Sequence, residues 1–148
     1  MKKHFTATAY IAARIDGEYK VLLHKHKKHG FWLGIGGHIE KDENPVEAVL
    51  REVKEETNLG ISLIKEKLLK IEDVEELVCP VAILQERLSP YKNEPAHYHI
   101  DFIYFAICKN PEKIKMVEQF NWFSKRDLRE LDLEKEVYYL LKKLFKYV

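Results

Sequence analysis

Glu52, Glu55 and Glu56 stand at i, i+3 and i+4, the spacing that puts side chains on one edge of a helix. A sequence shaped only for stability avoids that arrangement. Each like-charge i,i+4 pair costs ~0.2–0.5 kcal/mol, and the C-terminal half of a helix disfavours anions. A solvated charged face would be the bland explanation, with Glu47–Arg51 and Arg51–Glu55 as ordinary i,i+4 ion pairs. Two neighbouring features point elsewhere. Glu43 adds a fourth carboxylate just ahead of the helix, and Gly36-Gly37 lets backbone carbonyls approach something closely. Oxygen donors beside flexible glycine suit Mg²⁺ or Mn²⁺, hard cations that prefer carboxylate, carbonyl and water.

The elements around these residues must position them. Asn44 is a good N-cap, Pro45 suits the first helical position, and Glu47 completes a capping box, so a helix is predicted over 45–57. Asn58 and Gly60 stop it, both tolerating the left-handed backbone that ends helices. On this helix Val46, Val49, Leu50 and Val53 share one sector, expected to face the core. Upstream, residues 5–15 and 19–26 read as strands joined by Asp16-Gly17, a hairpin signal. The glycine-rich passage 31–37 links the hairpin to the helix. Downstream, 81–88 reads as a strand, while 68–77 fits helix or strand. Residues 98–108 form a strand apolar on both faces, hence central in a sheet. Trp122-Phe123 is a short extended piece. Leu133, Val137, Leu140, Leu141 and Leu144 give a final helix its core stripe. The mixture is α/β or α+β, a central sheet with helices packed on it.

Other chemistry-bearing residues are more ambiguous. His97, His99 and Asp101 project to one face of the central strand. They are read either as lining a substrate pocket or as buried hydrogen-bonding groups. No further His or Cys is spaced in the sequence to complete a zinc site with them. His24, His26 and His29 lie among lysines and fit a solvated strand end better than a phosphate-facing rim. Phe31, Trp32, Tyr91 and Tyr98 could stack on a base, although single aromatics more often belong to a core.

Composition narrows the setting. The 148 residues fit a single domain over 1–148, 46% hydrophobic and 33% charged, with net charge +1 and pI near 7.8. No basic stripe marks a dedicated nucleic-acid surface. No stretch is long and apolar enough to span a bilayer, so no membrane partner is expected. Cys79 and Cys108 stand apart without a CxxC, which suggests a cytoplasmic setting with two free, buried thiols.

From Gly37 the chain reads Gly, five residues, Glu43, seven residues, then Arg51-Glu52-Val53-Lys54-Glu55-Glu56-Thr57-Asn58-Leu59. This resembles the Nudix box, Gly-x5-Glu-x7-Arg-Glu-(apolar)-x-Glu-Glu-x-Gly-(apolar). Every fixed position is filled except the last glycine, replaced by Asn58, and Ile35 stands where relatives often carry proline. More loosely, the resemblance takes in most of the chain. It implies an α/β/α sandwich around a mixed sheet, with the box forming a loop–helix–loop. It implies hydrolysis of a nucleoside diphosphate linked to another moiety, using Mg²⁺ (Mn²⁺ also suits). By position, Glu52 and Glu56 would bind metal, Glu55 would bind metal or activate water, and the Gly36 carbonyl would complete the coordination. Glu43 and Arg51 would hold the loop against the helix. The general base would come from the box or from a later loop, where Glu118 is the candidate beside its reading as an ordinary surface residue.

Three rivals stay open beside a small-molecule pyrophosphohydrolase. A nucleotide-binding regulatory module would not need three metal-binding carboxylates. An isoprenoid diphosphate isomerase would want a reactive cysteine, and neither Cys79 nor Cys108 sits in an obvious motif. An RNA-end pyrophosphohydrolase would call for a basic face. Substrate subgroups are not legible: Val74 and Glu75 stand where an ADP-ribose subgroup carries proline. Glu75, Glu76 and Leu77 stand where a dinucleotide polyphosphate subgroup carries tyrosine. Monomer and homodimer both remain compatible.

Overall fold

The computed structural model describes residues 1–27, 30–115, 117 and 119–148. The first hairpin joins β1 (Lys3–Ile15) to β2 (Glu18–Lys25). Asp16 and Gly17 both take positive φ, 52° and 83°, as a tight turn between twisted strands requires. The glycine-rich passage forms two short strands, β3 (Trp32–Leu33) and β4 (Ile35–His38), pairing with β2 and β1 respectively. Helix α1 (Pro45–Thr57) follows. Next come β5 (Ser62–Leu63), the exposed mini-hairpin of β6 (Lys70–Ile71) and β7 (Val74–Glu75), β8 (Ala82–Leu88) and β9 (His97–Ile107). The hairpin resolves the ambiguity over 68–77. The edge strand β10 (Phe120–Ser124) and helix α2 (Lys135–Tyr147) close the chain.

Apart from the small hairpin, the strands form one mixed sheet, β10-β2-β1-β9-β5, with β3, β4 and β8 paired alongside. Among the described residues only β1 and β9 run parallel; the other pairs are antiparallel. Side chains alternate between its two faces. On β1, Ala7, Ala9, Ile11 and Ala13 pack with Ala48, Val49 and Val53 of α1. Tyr10 and Ala12, in the opposite phase, pack with Val137, Leu140, Leu141 and Leu144 of α2. The sheet is therefore covered on both faces, which explains the nearly unbroken apolar runs of β1 and β9.

Two expectations need correction. Leu50 remains 38% exposed, because the sheet covers the Val49–Val53 side of α1 and leaves its neighbour at the rim. Cys79 is exposed, lying in the loop ahead of β8, whereas Cys108 is buried at the end of β9. Among the described residues, no helix is long and apolar enough to cross a membrane.

Candidate active site

The caps of α1 fix where its carboxylates lie. The Glu47 N–H donates to the Asn44 side chain at 2.9 Å, and the Asn44 N–H donates to the Glu47 carboxylate at 3.0 Å. At the other end Asn58 adopts φ 65°, ψ 7°, and its N–H bonds to the Lys54 carbonyl. Asparagine thus fills the left-handed position where the motif has glycine.

Arg51 ties the loop to the acidic edge. Its Nε and Nη2 donate to the two Glu43 oxygens at 2.7 and 3.0 Å, and Nη2 also donates to the His38 carbonyl at 3.1 Å. Nη1 reaches Glu52 at 3.0 Å and Glu55 at 3.3 Å. This forked geometry needs a guanidinium and holds the Glu43 carboxyl below the usual carboxylate range. Gly37 admits Glu52: a Cβ there would lie 2.5–2.9 Å from the Glu52 carboxylate atoms. Helix edge and glycine strand are thereby pressed together.

Glu56 shows the consequence of crowding. Burial pushes its carboxyl up to about 7, helped by the charge of Glu52, a hydrogen bond with Glu52, and the charge of Glu55. Without a cation, a proton relieves the repulsion. Glu52, Glu55 and Glu56 offer only oxygen donors and an excess of negative charge, the chemistry that a hard divalent ion prefers.

Glu56 and Gly36 open onto a cavity of about 380 Å³ on the α2 face of the sheet. Its deeper part holds a second acidic group. Asp101 accepts hydrogen bonds from Thr6 at 3.0 Å and from Thr8 at 2.9 and 3.0 Å. Beside it lies Glu86, while Glu134 and Glu136 descend from the start of α2. Burial, then the charges of Asp101, Glu136 and Glu134, push the Glu86 carboxyl up to about 8. Burial likewise raises Asp101 to about 6, against hydrogen bonds from Thr8, Thr6 and Glu86 that lower it.

The other expected residues divide. His99 lines the cavity with Asp101, but His97 does not; it is buried, with its Nδ1 3.0 Å from the Pro95 carbonyl. His24 and His26 line the opposite wall. Phe31, Trp32, Tyr91 and Tyr98 are not among the described lining residues, and Trp32 packs edge-on against Phe123. Glu118 and His29 lie outside the described residues. Sequence reasoning missed Glu86, Glu134 and Glu136. Glu86 carried one signal: it occupies the phase Ala82, Leu84, Glu86, Leu88, while the alternate residues Ile83, Gln85 and Arg87 are exposed. An acid in the inward phase of a strand needs a reason.

Residues 4–144 match the family described as NUDIX domain. The chain belongs to the Nudix family. A NUDIX-family hydrolase from Clostridium perfringens is 26% identical and superposes with a TM-score of 0.77, each chain covered over 99%. The Nudix fold extends to more distant structures. The Ap4A hydrolase of C. elegans is 20% identical with a TM-score of 0.66, covering 99% of this chain and 98% of that one. The NUDIX domain of Shewanella oneidensis NrtR, complexed with ADP ribose, is 19% identical with a TM-score of 0.60 over 99% and 89%. The α/β/α arrangement expected from the box is the one observed.

Proposed function

We propose that residues 1–148 act as one domain that hydrolyses a diphosphate linkage in a nucleoside diphosphate derivative or nucleoside triphosphate. The observation that carries this reading is the crowding of Glu56 by Glu52 and Glu55 where Glu56 lines a ligand-sized cavity, with Glu56 raised to about 7. Mg²⁺ or Mn²⁺ held by these carboxylates and the Gly36 carbonyl would neutralise diphosphate oxygens and activate water.

The chain's own groups supply the remainder. Arg51 keeps Glu52 and Glu55 oriented and anchors the Glu43 loop. Glu55, largely exposed, is one candidate to take the proton from the attacking water, and Glu118 is the other. Asp101 and Glu86 offer both a carboxylate acceptor and a carboxylic acid donor to the substrate's polar end. His99 lines the same cavity. The Ap4A and ADP-ribose named for two distant relatives both join nucleoside and phosphate groups, which suits a cavity with a metal-binding end and a hydrogen-bonding end.

The test is a panel of nucleoside triphosphates and diphosphate derivatives incubated with Mg²⁺, following phosphate or pyrophosphate release. Turnover of one class, abolished by chelator and restored by Mg²⁺ or Mn²⁺, is expected. Full turnover in excess chelator, or tight binding of a panel member without any turnover, overturns the reading.

A further inference from the structure

A second group of possible ligands lies along the cavity, on side chains other than the α1 carboxylates. On the face shared by Thr6 and Asp101, strand register places His4 of β1 opposite His99 of β9, and Thr6 opposite His38 of β4. Residues distant in sequence thus converge. His4, His38 and His99 each offer a ring nitrogen, and those atoms all lie within 4.8 Å of one another. This completes the histidine set that sequence spacing along β9 could not supply.

The hydrogen bonds around the rings sort the nitrogens. A carbonyl only accepts, so His97 Nδ1–H donates to Pro95 and leaves the His97 lone pair on Nε2. That atom stands 3.2 Å from His99 Nε2. His99 Nε2–H is then the donor, and this tautomer puts the His99 lone pair on Nδ1. His4 Nε2 faces the Glu94 carboxylate at 4.0 Å, while His4 Nδ1 faces His38 Nε2 at 3.4 Å. Metal-bound histidines characteristically turn their other N–H toward a carboxylate, carbonyl or similar acceptor. His97 and Glu94 occupy those outer positions here. Two nitrogens of a tetrahedral zinc centre with ~2.0–2.1 Å bonds stand about 3.3–3.4 Å apart, which is the His4–His38 spacing.

We propose that His4, His38 and His99 bind one transition-metal ion of the Zn²⁺ class, separate from the hard-cation site on α1. Three imidazoles select borderline metals rather than Mg²⁺. Three protein ligands also leave a coordination position for water or an anionic oxygen, and two of the three residues, His38 and His99, line the cavity.

Co²⁺ provides the readout, because nitrogen-rich four- or five-coordinate sites absorb visible light far more strongly than octahedral oxygen sites. The full chain is stripped with chelator, saturated with Mg²⁺ to fill the carboxylate site, and titrated with Co²⁺. One equivalent with an intense visible band, displaced by Zn²⁺, is expected. Glu56→Gln should retain the band. His38→Ala and His4→Ala should weaken binding by at least ~100-fold, since even outer-shell changes cost 10–100-fold. His38 is exposed, and His38→Gln with an unchanged melting temperature serves as the folding control. Absence of the band under saturating Mg²⁺ overturns the proposal. So does a band that survives both histidine substitutions or disappears in Glu56→Gln.

Discussion

The cavity brings two acidic clusters together, and they are built on opposite principles. Glu52 and Glu55 sit on one helix edge beside Arg51, Glu55 exposed and Glu52 partly buried. Glu86 and Asp101 come from separate strands, with Glu134 and Glu136 above them from α2; threonine hydroxyls donate to Asp101, and Glu86 faces other acids. Arginine supports charge at the first. Burial favours protons at the second. Glu56, the member of the helix cluster that lines the cavity, is pushed up like the buried pair. The same side chain can therefore serve as an ion ligand or as a hydrogen-bonding acid, according to whether a cation or a proton offsets its charge.

The largest expected effect separates these roles. Glu56→Gln keeps size and polarity but removes one negative charge from the proposed ion site. Turnover at saturating Mg²⁺ should fall by at least ~10²-fold, the lower end of the loss from deleting a catalytic electrostatic group. Metal-free melting temperature should hold or rise, because repulsion with Glu52 and Glu55 is relieved. Steady-state kinetics and a thermal scan check the pair of outcomes. Wild-type turnover in Glu56→Gln, or an equal loss of kcat in Glu86→Gln, would erase the distinction between the clusters.

Arg51→Lys comes next. An ammonium is a point charge and cannot span Glu43, Glu52, Glu55 and the His38 carbonyl at once. We expect activity to drop ~10–100-fold, the usual cost of losing an outer-shell partner of metal ligands, and a raised Mg²⁺ requirement. Activity measured against Mg²⁺ concentration tests this. An unchanged Mg²⁺ curve would mean that the carboxylates orient themselves without the guanidinium.

The contrast between the clusters is also a contrast in what sequence can express. Asn44, Pro45, Glu47 and Asn58 announce α1 because capping is local, and the wheel alone then puts Glu52, Glu55 and Glu56 together. The Asp16-Gly17 turn is legible for the same reason. By contrast, Asp101 meets Glu86 through sheet pairing, where Glu86 lies opposite His99 and Leu84 opposite Asp101. Their joint environment depends on α2, whose stripe Val137, Leu140, Leu141 and Leu144 predicts a buried face but not which strands lie under it. The histidines behave likewise, since only the parallel register of β1 with β9 brings His4 to His99. Leu50 fails differently: periodicity marks an apolar sector, yet not how much of it the sheet covers.

A pH profile sharpens the contrast with a smaller effect. The folded-state carboxyl of Glu86 is raised from 4.5 to about 8. A raised acid binds its proton more tightly in the folded chain. Its contribution to stability is therefore complete below about 4.5 and lost as pH rises through about 8. Metal-free melting temperature should fall across that window, with Asp101 adding to the fall at its lower end. Glu86→Gln should flatten the upper part and raise the melting temperature at alkaline pH by about 2–4 °C, what ~1 kcal/mol is worth in a chain of this size. A profile as steep in Glu86→Gln as in the wild type would show that the buried group is not held protonated.

The smallest effect tests whether the helix cluster is positioned by local geometry. Asn58 has φ 65° and directs its side-chain amide to the Lys113 carbonyl at 3.3 Å, an exposed contact. Glycine enters the left-handed region without the Cβ clash, but it gives up that contact and makes the unfolded chain more flexible. Asn58→Gly should therefore be close to neutral, within ~1 kcal/mol of the wild type. Asn58→Val keeps a side chain but is β-branched, and such residues tolerate positive φ badly. It should lower the melting temperature and disturb the last turn of α1, where Glu55 and Glu56 lie. Denaturant unfolding of the two variants measures the first consequence, and Mg²⁺ affinity the second. If Asn58→Val matches Asn58→Gly in both, the cap does not set the carboxylate edge. The packing of Val49 and Val53 against the sheet would then be what holds it, by the same long-range means that assemble Asp101 and Glu86.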